Sequence, residues 1–192
     1  MNYCMIRRWG PVVAGAMLAN AYVMPLDPRY IPPGDGFCET GALPRATVDQ
    51  IHYEGNTGLA DHYGCNLKLI EERMLEHFDY TVSFLNVAEA DQTCACWLKI
   101  GPDGGVNGFW KGNEVLDFPL RIGQTRVLAI DTDTQGGCAC GIDEEVPVTA
   151  DGQFAATWLE FDMANESNGG WSGADASCLV SAAYGLDIPS LQ

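Results

Sequence analysis

The sequence predicts a mainly β protein, a β-sandwich with one short helix. Two observations carry this. Short strand-like runs recur from Phe37 onward, separated by clusters of Gly, Asn and Asp. Only one stretch carries a helical period. Many short strands with almost no helix pack as two facing sheets.

The chain opens "MNYCMIRRWG", with Arg7 and Arg8, then the apolar "PVVAGAML", then small residues at Ala19, Asn20 and Ala21. Basic, apolar, then small is the order of a secretory signal peptide, which assigns residues 1–21 to a leader. The apolar run is too short and interrupted to span a bilayer. Residues 22–36, "YVMPLDPRYIPPGDG", are rich in Pro and turn formers and read as an extended lead-in. Residues 37–192 form the β-sandwich domain.

Within that domain the expected strands are "QIHYE" (50–54), "DYTVSFLNV" (79–87), "CWLKI" (96–100), "EVLDFPL" (114–120), "TRVLAID" (125–131), "FAATWLEFDM" (154–163) and "ASCLVSA" (176–182). In the second, Tyr80, Val82 and Phe84 share a face by period-two alternation. "NLKLIEERMLEHF" (66–78) spaces Leu67, Ile70 and Met74 by three and four and is the predicted helix. "GPDGG" (101–105) is a tight turn. "DTDTQGG" (131–137) also reads mainly as a turn, because its acids lack the EF-hand register for calcium.

Beyond the leader there are seven cysteines: Cys38, Cys65, Cys94, Cys96, Cys138, Cys140 and Cys178. In an oxidising compartment they should form disulfides. An odd number leaves one thiol free or paired between molecules. Two C-A-C pairs stand out. Cysteines two apart on a strand point the same way, so each pair could meet the other across strands. Four thiolates could instead bind zinc, but structural zinc more often uses C-x₂₋₄-C, so no metal or cofactor is expected.

The formal net charge is −16, and loss of Arg7 and Arg8 with the leader makes the remainder more acidic. Such a surface repels nucleic acid and anionic lipid. No second segment is apolar enough to span a membrane. The expected partners therefore include neither nucleic acid nor membrane, and the product reads as secreted.

The chemistry concentrates in "TWLEFDM" (157–163). Thr157, Leu159, Phe161 and Met163 fall on one, buried side. Trp158, Glu160 and Asp162 fall on the other. Side chains at i and i+2 project together about 6–7 Å apart, inside the roughly 5–9.5 Å span of glycosidase carboxyl pairs. Such pairs flank a bond from opposite walls, however, and these lie side by side. "ANESNGGWSGADAS" follows, with a glycosylation sequon at Asn165 that would need an exposed loop. Trp171 sits in a Gly-rich bend, and Asp175 comes near Glu160 or Asp162 if the last two strands pair. The bland alternative is packed tryptophans and solvated acids. The scattered histidines His52, His62 and His77 have no metal-ligand spacing, and no nucleophile elbow or P-loop is present.

"IHYEGNTG", "KIGPDGG", "DTDTQGG", "TWLEFDM" and "NGGWSGADAS", in this order, resemble the fungal secreted allergen family of the Asp f 4 type, over about Phe37 to Leu186. That resemblance implies secretion, cell-wall association and recognition by host IgE, not an established reaction. A more distant similarity is to thaumatin-like sandwiches, through "DYTVSFLN", "GQTRVLAI" and "WLEFDM" followed by "DAS". It implies a thaumatin-like core and places Glu160 and Asp175 at acidic-cleft positions associated with glucan. The Arg of that cleft has only Arg121 and Arg126 as neighbours to supply it.

The expected function is a non-enzymatic glycan binder of the extracellular space or cell wall, with β-glucan as ligand. Trp158 and Trp171 would stack on sugar, and Glu160, Asp162 and Asp175 would accept hydroxyl hydrogens. The alternatives are a weak β-1,3-glucan hydrolase and a ligand-free structural wall protein or effector.

Overall fold

The computed structural model describes residues 36–38, 55–142 and 144–186. The leader, the lead-in up to residue 35 and the strand expected at 50–54 lie outside the described residues. Among those described, Gly58–Leu59 (β1) and His62–Tyr63 (β2) form a small hairpin. A three-stranded antiparallel sheet runs β3–β7–β4, from Leu67–Ile70 (β3), Tyr80–Leu85 (β4) and Thr125–Ile130 (β7). A five-stranded sheet runs β10–β9–β8–β5–β6. Its strands are Gln92–Leu98 (β5), Leu116–Leu120 (β6), Thr134–Ile142 (β8), Trp158–Asn165 (β9) and Trp171–Ser177 (β10). All its pairings are antiparallel.

The two larger sheets face each other over one core, so the sandwich expected from the sequence is the fold. Leu67, Leu128 and Ile130 come from the smaller sheet, and Cys94, Cys96, Leu98, Phe118, Leu120, Cys138 and Phe161 from the larger. Tyr80, Val82 and Phe84 pack against this core from β4, as their alternation predicts. The Phe84 and Phe118 rings meet edge to face, 5.6 Å apart, across the sheets.

A second core covers the opposite face of the larger sheet. Residues 144–156 cross it and bury Val146, Phe154 and Ala156 against Ala95, Trp97, Ala139 and Trp158. The crossing is close. A Cβ on Gly141 would overlap the Pro147 ring, so only glycine lets that segment pass over β8.

The structure changes several assignments. The predicted helix at 66–78 is a strand followed by a 3₁₀ turn, Glu72–His77, with no buried residue. Leu67 through Ile70 pair in register with Ile130 through Val127, and this tertiary pairing overrides a short helical period. The strand expected at 176–182 ends at Ser177, where it faces Trp158. Leu179–Ala183 is instead a helical turn (α1), anchored by Ser181 Oγ donating to Ala156 O at 3.0 Å. The stretch read as a turn at 131–137 contains the start of β8, a central strand.

The two C-A-C pairs sit directly opposite one another, Cys94 to Cys140 and Cys96 to Cys138, and both are disulfides. Cys38 is bonded to Cys65. Cys178 is disulfide-bonded as well, and among the described residues no cysteine is free. These bonds fit folding in an oxidising compartment.

Candidate functional site

The register of the large sheet builds the site row by row. Trp97 lies opposite Gly137, Gly137 opposite Glu160, and Glu160 opposite Asp175. In the next row Gln135 lies opposite Asp162, and Asp162 opposite Gly173. Residues in one row share a face, so the period-two pattern of "TWLEFDM" becomes part of a face four strands wide, with its acids on β9 and β10. Its glycines shape it. A Cβ on Gly137 would come 3.1 Å from the Trp97 indole, so glycine lets that ring lie across β8. A Cβ on Gly173 would meet nothing within 4 Å, so this side stands open.

The result is an open groove of about 510 Å³, lined among others by Trp97, Phe109, Trp158, Glu160, Asp162 and Asp175. One wall is aromatic. Trp158 meets Trp97 and Phe109 at ring distances of 5.1 Å each, and Trp97 stacks on Phe154 at 5.0 Å. The other wall is the β9–β10 hairpin with its carboxylates. Lys99 and Gln135 also line the groove, joined by a 3.2 Å hydrogen bond from Nζ to Oε1.

Glu160 is half-buried, and burial raises its carboxyl above the ordinary glutamate range. The neighbouring charge of Asp175 raises it further, while a hydrogen bond with Ser177 opposes the shift. Asp162 Oδ2 accepts a 2.7 Å hydrogen bond from Asn165 Nδ2, and Oδ1 is buried without a partner. The groove therefore offers acceptor oxygens beside an apolar aromatic wall. That pairing of surfaces suits a polyhydroxylated ligand, whose hydroxyls donate and whose C–H faces pack on rings.

Of the five ligand-binding residues expected from the sequence, the structure brings Trp158, Glu160, Asp162 and Asp175 to this groove. Trp158 is not a free stacking platform. It is only 7% exposed, and its indole N–H donates to Phe154 O at 2.9 Å. Trp171 does not line the groove. It stands 73% exposed at the start of β10, beyond the Gly169–Gly170 bend. The sequon asparagine, Asn165, is 7% exposed rather than displayed on a loop.

Trp97, Lys99, Phe109 and Gln135 went unrecognised in the sequence. Trp97 and Lys99 alternate with Cys96 and Leu98, so the C-A-C pairing, extended by one residue, would have placed Trp97 beside Gly137. No sequence signal points to Phe109, which reaches the groove from a loop. Among the described residues no cluster of His, Cys, Asp and Glu is arranged to hold a metal ion.

Comparison with known proteins shows a family. Residues 65–192 match the family described as the Allergen Asp f 4-like domain. Allergen Asp f 4 of Aspergillus fumigatus is 33% identical over 145 residues, or 76% of this chain. The chain spans 43% of that protein's length. No solved structure gives a significant match.

Proposed function

The chain belongs to the Allergen Asp f 4-like family, and on that premise we propose that it is a secreted, wall-associated protein whose groove binds a neutral glycan, with β-glucan the first candidate. One observation carries the reading: Glu160, Asp162 and Asp175 line one groove beside the Trp97–Phe109–Trp158 wall. Carboxylates accept hydroxyl hydrogens strongly, and a neutral polymer brings no anionic charge against an acidic protein. The stacking surface falls to Phe109 and the accessible edge of the aromatic wall instead of an open Trp158. The secreted location is supported by the disulfides and the relative's kind. Recognition by host IgE comes with the family resemblance, and we assign it no residue.

The test is retention on insoluble β-1,3-glucan, with released reducing sugar read from the same tube. Wild type should be retained without release, and Glu160→Gln, Asp162→Asn and Asp175→Asn should each weaken retention. No retention of wild type would overturn the glucan reading.

A second reading, weak glycoside hydrolysis, is favoured by the raised carboxyl of Glu160 beside Asp175, since an acid of raised pKa next to an ionised partner is what protonates a leaving group. Against it, the two are side-by-side neighbours on paired strands, not opposed across the groove. Sugar release that vanishes in Glu160→Gln would establish it.

A further inference from the structure

A strand alternates, so Asp162 and Asn165, three apart on β9, should point to opposite faces. They do not, because Asn165 Nδ2 reaches Asp162 Oδ2 at 2.7 Å. The cause is an irregularity in the β9–β10 pairing. Asp162 pairs with Gly173 and Asn165 with Trp171, so three steps along β9 match two along β10. The extra residue is a β-bulge. Within it Ala164 adopts φ +48°, a left-handed conformation an L-residue rarely takes. Its N–H is satisfied by Ser172 Oγ at 2.8 Å. Bulges re-aim side chains beside sites, and strain held in this way invites a functional explanation.

The re-aimed residue is the sequon asparagine. Its amide is held at both ends: Nδ2 donates to Asp162, while Oδ1 accepts from Ser167 Oγ at 2.6 Å and from Asn168 N at 3.1 Å. The serine that completes the sequon thus serves to orient Asn165. The clamp occupies one oxygen of Asp162, and the other, Oδ1, is buried with no partner.

We propose that Asn165 is a positioning residue of the groove and not a glycan acceptor: it fixes the Asp162 carboxylate on the groove wall, where a hydroxylated ligand meets it. This deepens, and rests on, the glycan-binding reading. A glycan on Nδ2 would need space that a buried side chain lacks, so the N-E-S sequon is silent in the folded protein.

The test uses the full chain secreted from a yeast host, with three readouts. Peptide mass after endoglycosidase treatment should show Asn165 unmodified; a glycan there in the folded fraction overturns the proposal. Hydrogen exchange of the Asn165 side-chain amide, followed by NMR, should be slow in wild type and in Ala164→Gly, which suits positive φ. It should be fast in Asp162→Ala; slow exchange there means the clamp does not hold Asn165. Retention on β-1,3-glucan should fall about tenfold in Asn165→Asp, the loss expected for a hydrogen bond to a charged group. That variant keeps acceptor oxygens for Ser167 and Asn168 but loses the donor to Asp162. In an Asp162→Ala background Asn165→Asp should have no further effect, whereas an equal fall in both backgrounds marks a merely structural role and overturns the proposal. If wild type ignores glucan, the glycan reading fails and the assignment to a hydroxylated ligand falls with it, while exchange and peptide mass still decide the clamp and the silent sequon.

Discussion

Removing either of the two cross-strand disulfides alone should cost far less than its loop length suggests. Cys94–Cys140 spans 46 residues and Cys96–Cys138 spans 42. Considered singly, closing loops of this size is worth about 4 kcal/mol each. The loops are nested, however, with the bonds two residues apart on both β5 and β8. With one bond intact, the other closes a ring of only about six residues, worth about 2 kcal/mol. The Cys94→Ala/Cys140→Ala and Cys96→Ala/Cys138→Ala variants should therefore each lose about 2 kcal/mol. The fourfold variant should lose about 6 kcal/mol, leaving a coupling of about 2 kcal/mol between the pairs. Packing losses at these buried sulfurs enter single and combined variants alike and cancel from the coupling. Guanidinium unfolding of the oxidised proteins measures all three. Losses near 4 kcal/mol for each single pair would refute the nested-ring reasoning, even if the fourfold variant failed to fold. The matter bears on the groove, because β5 and β8 carry Trp97 and Gln135, and Lys99 follows β5 directly.

Glu160 should make stability depend on pH in a definite direction. Its carboxyl is raised in the fold, so above the ordinary value of 4.5 the folded state holds the proton more firmly than the unfolded chain. Stability therefore falls as pH rises through that window. Melting temperatures at close pH steps should show a smaller fall with rising pH in Glu160→Gln than in wild type, and an intermediate one in Asp175→Asn, where the second cause of the shift is gone. Trp158→Ala should lose about 3–5 kcal/mol by chemical unfolding, as for other buried aromatics, so any loss of binding in that variant reports the fold. Trp171→Ala should change stability by less than about 0.5 kcal/mol and leave glucan retention unaltered, because Trp171 lies outside the groove. Gly141→Ala should lose about 1–3 kcal/mol in the same unfolding assay, since the added Cβ meets Pro147.

Period-two alternation made much of this legible from sequence. It placed Tyr80, Val82 and Phe84 on the core and put Trp158, Glu160 and Asp162 together on the opposite face. It could not show that this opposite face is also buried at Trp158, because the cover comes from residues 144–156, whose path no local pattern sets. The central strand β8 was hidden because Gly136, Gly137 and Gly141 carry low strand propensity. They are there for close approach by the Phe161 ring, the Trp97 ring and the Pro147 segment respectively. The helical reading of 66–78 failed because Leu67 and Leu69 fit an inward strand face as well as a helix stripe, and pairing with β7 decided the matter. The fate of Asn165 was illegible because a bulge reverses parity, and nothing in "DMANES" announces one.

The central claim is that the groove between the aromatic wall and the β9–β10 hairpin takes a glycan. Titration of the ¹⁵N-labelled protein with a soluble β-1,3-glucan oligosaccharide tests it most directly. The account predicts shifts at the amides of Gly136, Gly137, Gly173 and Ala174 and at the Trp158 indole N–H, with the Trp171 indole unmoved. A spectrum that does not change, or shifts confined to Trp171 and the Gly169–Gly170 bend, would contradict it.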